Sequence, residues 1–229
     1  MNFLSHFYFE RHLPQPERVI GVLLPDLLKN ANKELTIHPV RFETSLLGHP
    51  KTAPMYEGWN RHVLTDKIFH NLPFFFEHTH ELKILLKPVV EATPIRPSFL
   101  SHIALELLLD HLLLRDEHVQ TNVFYDALEK VDQQALQRFL TTCGIDQPKF
   151  FFDYLQSFMR HRYVESYIHL DQVAFALTQI CKRLWVFDRD LLDMNAFQEV
   201  LNRYSEVLRP VFMDVFHEID LQFVRSSPY

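Results

Sequence analysis

Glycine is nearly missing from this chain, with 4 residues in 229. Sheet proteins need many tight turns, and loops that cradle phosphate need closely spaced glycines, so both architectures are disfavoured. Cysteine is scarcer still. Cys143 and Cys181 cannot build a disulfide framework, which points to a reducing compartment and to small core residues. Positive charge is not in excess. A formal charge of −6 argues against non-specific nucleic-acid binding as the main role. The opening MNFLSHFYFER lacks the basic region and small-residue cleavage site of a signal peptide. The longest apolar run, 99–114, is interrupted by His102, Glu106, Asp110 and His111, which argues against a simple membrane span. A cytoplasmic protein with neither nucleic-acid nor membrane partners is expected. No serine nucleophile elbow, Walker loop, zinc-finger spacing or H-E-x-x-H is found.

What is abundant is phenylalanine, at 21 residues, together with 13 prolines and a hydrophobic share of 47%. That supplies a large core, and helices separated by prolines fit the pattern best. Helical periodicity predicts segments near 17–30, 54–71, 73–90, 97–115, 121–129, 132–142, 147–169, 171–187 and 191–225. Pro25 is expected to kink or end the first, and Pro210 to kink or divide the last. Asp132 and Asp146 are the expected N-caps of their helices. Residues 31–52 read as an ill-defined excursion. The class is all-α, a single multi-helix domain spanning 1–229.

Three stretches carry polar residues that an amphipathic helix does not need. GWNRHVLTDKIFHNLP places His62, Asp66 and His70 at spacings of four, along one helix face. SHIALELLLDHLLL repeats the spacing with His102, Glu106 and Asp110, followed directly by His111. IGVLLPDLLKN holds Asp26 alone among apolar residues. Spacing alone is weak, because His, Asp and Glu total 14 + 29 = 43 residues, enough for one or two such triples by chance. Context weighs more. A helix apolar on all sides is buried, and a buried carboxylate needs a cation, a donor network or a metal. Three readings follow: a His–Asp network knitting helices together, a divalent-metal site, or an active site without a cation. The clusters Phe74–Phe76 and Phe150–Phe152 read as core, and Arg160-His161-Arg162 as a solvated face.

Taken together, these segments resemble the acyl-carrier-protein phosphodiesterases, relatives of the HD-type metal phosphohydrolases. The opening resembles the family start M-N-F-L-[AS]-H at Asn2, Phe3, Leu4 and His6. IGVLLPDLLKN matches G-N-x-L-x-D-[FL]-[VL]-[KR]-G at Gly21, Leu24, Asp26 and Lys29. GWNRHVLTDKIFHNLP matches at Gly58, His62, Asp66 and Pro73. Glu106, Asp110 and His111 fall on the family's D-x-x-x-D-H. Three departures stand out: His70 where the family has a second Asp, Glu106 for Asp, and Val63 where Arg is common.

The resemblance implies an HD-like helical bundle with a metal site between helices. It implies hydrolysis of the phosphodiester joining 4′-phosphopantetheine to a serine of acyl carrier protein. His62, Asp66, His70 and Asp110 are then the expected ligands of a divalent ion, Mn²⁺ foremost, with Fe²⁺ or Zn²⁺ as the other options. Asp26 and Glu106 complete the shell or act as base, while His111 and His6 orient groups or protonate the leaving oxygen. Two alternatives remain: a metal-dependent phosphohydrolase on another phosphodiester or nucleotide, and an inert relative that binds carrier protein.

Overall fold

The computed structural model describes residues 1–226. It is all-α, with no strand among the described residues. In chain order the first helices are α1 (Phe3–Tyr8), α2 (Pro16–Ala31), α3 (Glu43–Leu47), α4 (Thr52–Phe69), α5 (Pro73–Val90) and α6 (Pro97–Arg115). They are followed by α7 (Thr121–Glu129), α8 (Gln133–Thr142), α9 (Lys149–His161), α10 (Leu170–Leu184), α11 (Met194–Leu208) and α12 (Phe212–Ser226). Short 3₁₀ turns lie at Pro39–Phe42, Tyr163–Ile168 and Arg189–Leu191.

Proline marks several boundaries. Pro16, Pro73 and Pro97 each stand in the first turn of a helix, where a missing N–H costs nothing and the fixed φ is already helical. Pro25 neither ends nor divides α2, which continues to Ala31. Pro210 does divide the final segment, since α11 ends at Leu208 and α12 begins at Phe212. Asp132 caps α8 as expected, accepting from the backbone N–H groups of Gln134 and Ala135, each at 3.0 Å. Asp146 does not cap α9. That helix starts later, at Lys149 behind Pro148, so the carboxylate falls short of the N–H groups it would need. The segment expected at 147–169 also stops early, because Arg162 takes a left-handed conformation at φ 45°.

Two segments escaped the periodic signal. All six residues of α1 are buried, so no polar face marks the helix. The excursion at 31–52 contains α3 and a 3₁₀ turn, closed where the buried Thr52 Oγ1 donates to the Leu46 carbonyl at 2.6 Å.

The chain forms two compact units, and the first comprises Asn2–Asp66 and Val119–Val164. Helix α2 lies at its centre against α1, α7 and α9, and its Val19, Ile20, Val22, Leu23, Leu24 and Leu27 are fully buried. Aromatic edges lock this core: Phe3 meets Phe158 at 5.2 Å and Phe7 meets Phe124 at 5.3 Å between ring centroids. Where α9 ends, the Arg162 guanidinium stacks over the Tyr125 ring at 4.1 Å.

The second unit comprises Met1, Lys67–His118 and residues from Glu165 onward. Helix α6 is its core, packed on α5, α10 and α11. By length and composition α6 could cross a membrane, yet most of it is buried inside this unit. Between α5 and α11, the Tyr204 hydroxyl donates to Glu81 Oε2 at 2.8 Å and lies 2.8 Å from His78 Nδ1.

Candidate metal centres

In the first unit, α2 and α4 cross backbone to backbone. A Cβ on Gly21 would stand 2.3 Å from the Met55 carbonyl oxygen, and one on Gly58 would stand 2.4 Å from that of Arg18. Only glycine fits at either position. The crossing brings the residue after Gly21 to the residue one turn beyond Gly58. His62 Nδ1 therefore sits 2.7 Å from the carbonyl oxygen of Val22, in a buried contact. A carbonyl only accepts, so Nδ1 carries the hydrogen, and in the neutral ring Nε2 is left with its lone pair.

That lone pair faces a carboxylate. His62 Nε2 is 3.4 Å from Asp66 Oδ2, and His6 Nε2 is 3.3 Å from Asp66 Oδ1. The two imidazoles stack with centroids 3.8 Å apart and planes at 16°. His6 is buried, and neither of its ring nitrogens makes a hydrogen bond. Burial first, and then His62, push the His6 imidazole down to about 3, so it is neutral near pH 7. Burial also opposes charge on His62, but the carboxylates of Asp26 and Asp66 outweigh it and raise its pKa. Burial alone would raise Asp66; the close approach of the His6 and His62 imidazoles helps reverse this and holds the carboxyl below its usual range. A lone pair facing an ionised carboxylate repels it unless a positive charge lies between them. A proton on His62 meets that need, and so does a metal ion. Two imidazoles and a carboxylate with donor atoms within 4.8 Å of one another suit a divalent ion.

The second unit holds another group. His70 on the turn after α4 meets His102 and Glu106 on α6, again with donor atoms within 4.8 Å. Glu106 Oε1 also accepts from the Met1 amino group at 3.0 Å. Burial works against charge on Glu106, but that amino group, His102 and His70 keep its carboxyl well below the usual range.

The expected ligands thus fall into two groups: His62 and Asp66 in one, joined by His6, and His70 in the other, joined by Glu106. Asp26 contributes charge beside His62. Asp110 is fully buried on α6 and belongs to neither group. His111 is buried next to it. Its Nδ1 donates to the Tyr167 carbonyl at 2.8 Å, its Nε2 has no hydrogen-bond partner, and burial lowers its pKa. Two participants were not among the expected site residues. His102 was visible as the residue four before Glu106. The Val22 carbonyl, 40 residues from His62, left no signal in residue types.

Fold and site together define an all-helical protein with paired histidine–carboxylate donor sets. Residues 1–219 match the acyl carrier protein phosphodiesterase family, and the chain belongs to that family. No curated protein and no solved structure matches it.

Proposed function

We propose that this chain is a divalent-metal phosphodiesterase that hydrolyses the 4′-phosphopantetheine–serine linkage of holo-acyl carrier protein in a reducing, cytoplasmic setting. Family membership supports the substrate class. The observation that carries the metal dependence is the contact of His62 Nδ1 with the Val22 carbonyl, which leaves Nε2, on the Asp66 side, as the nitrogen that would meet a metal.

In the reaction, a water oxygen bonds to phosphorus and the bond from phosphorus to the serine oxygen breaks. A proton returns to that oxygen, giving apo-carrier protein and phosphopantetheine. His6, His62 and Asp66 would hold the ion. When bound, it supplies positive charge against the phosphoryl oxygens and makes water more acidic. The Val22 carbonyl stops the His62 ring from turning over and keeps Nε2 on the Asp66 side, where it would serve as a ligand. His6 stays neutral near pH 7 and keeps one ring nitrogen unprotonated and able to coordinate. Asp66 stays ionised across the physiological range. Asp26 adds negative charge that strengthens cation retention beside His62.

The deciding experiment is incubation of the purified chain with holo-carrier protein and Mn²⁺, read by intact mass. A loss equal to phosphopantetheine is expected, and chelator should prevent it. The changes at His70 and Glu106 favour one further reading, a phosphohydrolase whose substrate has drifted. Turnover of simple phosphodiesters without carrier-protein cleavage would select it. Complex formation without any product would mark an inert binder.

A further inference from the structure

The tips of His70, His102 and Glu106 meet in a tight triangle. His70 Nε2 is 3.1 Å from His102 Nε2 and 3.3 Å from Glu106 Oε1, and His102 Nε2 is 3.1 Å from that same oxygen. Each Nε2 has one in-plane position, holding either a hydrogen or a lone pair. Hydrogens therefore satisfy two edges at most. If both rings are protonated at Nε2, the imidazole edge sets hydrogen against hydrogen. If only one is, its hydrogen lies along a single edge and the other lone pair faces the carboxylate. One cation satisfies all three edges together. Nitrogen and oxygen ligands of a tetrahedral zinc-type ion, at about 2.0–2.1 Å from it, stand about 3.3–3.4 Å apart. The triangle already has nearly that size.

Its surroundings are those of a held but accessible site. The Phe75 ring stands edge-on to both imidazoles, with centroids 4.8 Å from His70 and 5.0 Å from His102, and limits their rotation. A cleft of about 280 Å³ is lined by His102 of the triangle and by the adjacent Phe75, and carries Lys83, His80 and Ser98 on its walls. The side chain of His102 is 41% exposed, so the triangle is reachable from solvent. The Met1 amino group shares the Glu106 oxygen at 3.0 Å and would compete with the ion for it.

We propose that His70, His102 and Glu106 bind one divalent ion of the borderline class, Zn²⁺ or Co²⁺, through two imidazole nitrogens and one carboxylate oxygen. This site uses none of the His6–His62–Asp66 donors. Two imidazole nitrogens with one carboxylate oxygen suit ions of that class. The inference does not depend on the carrier-protein reading and stands whether or not that substrate is cleaved.

The test is Co²⁺ titration of the full chain after chelator treatment, followed by visible absorption and by metal content per chain. Intense absorption in the visible range is expected, since four-coordinate Co²⁺ absorbs far more strongly than the six-coordinate ion. His102→Ala and Glu106→Gln should each weaken this equivalent by more than the roughly 100-fold loss that follows removal of an outer-shell partner. Circular dichroism confirms that both variants are folded. His62→Ala should keep the absorption. Unchanged titration curves in the His102→Ala and Glu106→Gln variants would overturn the site, as would the absence of any bound Co²⁺ in the parent chain. Loss of the same equivalent in His62→Ala would overturn its independence. Cleavage of holo-carrier protein is scored separately by mass, so failure of that reaction with Co²⁺ bound here leaves this inference intact.

Discussion

The two histidine–carboxylate groups use the same two donor types but hold them differently. In the first, backbone contact does the holding. Gly21 and Gly58 let two helices touch, a carbonyl fixes the His62 tautomer, and His6 is stacked out of solvent. In the second, side chains hold side chains. Phe75 brackets two imidazoles that are 31% and 41% exposed, and no carbonyl dictates which nitrogen carries the hydrogen. A site fixed by backbone is preorganised for one geometry. One fixed by ring edges accommodates change, and an ion bound there would exchange more readily. The difference lies in packing and not in ligand chemistry.

The largest expected effect comes from breaking the backbone contact. Gly58→Ala adds a Cβ that would lie 2.4 Å from a carbonyl oxygen. The helix-propensity gain of about 1 kcal/mol is outweighed by overpacking of roughly 1–3 kcal/mol or more, because backbone cannot rotate away. Thermal melts should show a lower Tm, and the His62-dependent metal equivalent should weaken. A variant as stable as the parent would show that the crossing is not rigid.

Asp66→Ala comes next. It should remove the metal equivalent held with His6 and His62 while the equivalent dependent on His102 remains, as read by elemental analysis. Retention of both equivalents would sink the assignment.

Acid gives a smaller and graded effect. An unfolded imidazole titrates near pH 6.5 and the folded His6 at about 3, so the unfolded chain binds more protons in between. The His6 contribution to stability is complete above about pH 6.5 and is lost as pH falls toward 3. His62 runs the other way. Its pKa is raised, so its contribution is complete below its unfolded value and is lost as pH rises through the folded one. Chelator-treated protein should lose Tm as pH falls from about 6 toward 4, and His6→Asn should flatten that slope. An unaltered slope would mean that other groups carry the acid sensitivity.

The smallest effects compare the two units directly. Cys143 lies in the first and Cys181 in the second, and burial pushes both thiols up to about 12. Both should resist alkylation at neutral pH. Cys143, at 7% exposure against 1%, should react first in mild denaturant, as followed by peptide mass. The reverse order would place the weaker packing in the second unit.

Much of the fold was legible because its punctuation is chemical. The spans 73–90, 97–115 and 121–129 coincide with α5, α6 and α7, two of them begun by proline. Helix α1 was not legible, since periodicity needs a polar face and this helix has none. The end of α9 was hidden because a left-handed Arg162 stands where glycine would have announced it. Of the site, the spacing of His62 and Asp66 pointed to one helix face. The return of His6 to them and the pairing of His70 with His102 depend on tertiary packing, which residue spacing does not encode.

The glycine crossing also limits how mutations can be repaired. What each missing Cβ would strike is main chain, so no second substitution that trims a neighbouring side chain can restore the fit. Relief requires one helix to slide, and sliding draws the Val22 carbonyl away from His62. A suppressor screen starting from Gly58→Ala should therefore return true revertants at that codon, or second-site changes that recover folding while leaving the His62 tautomer unset.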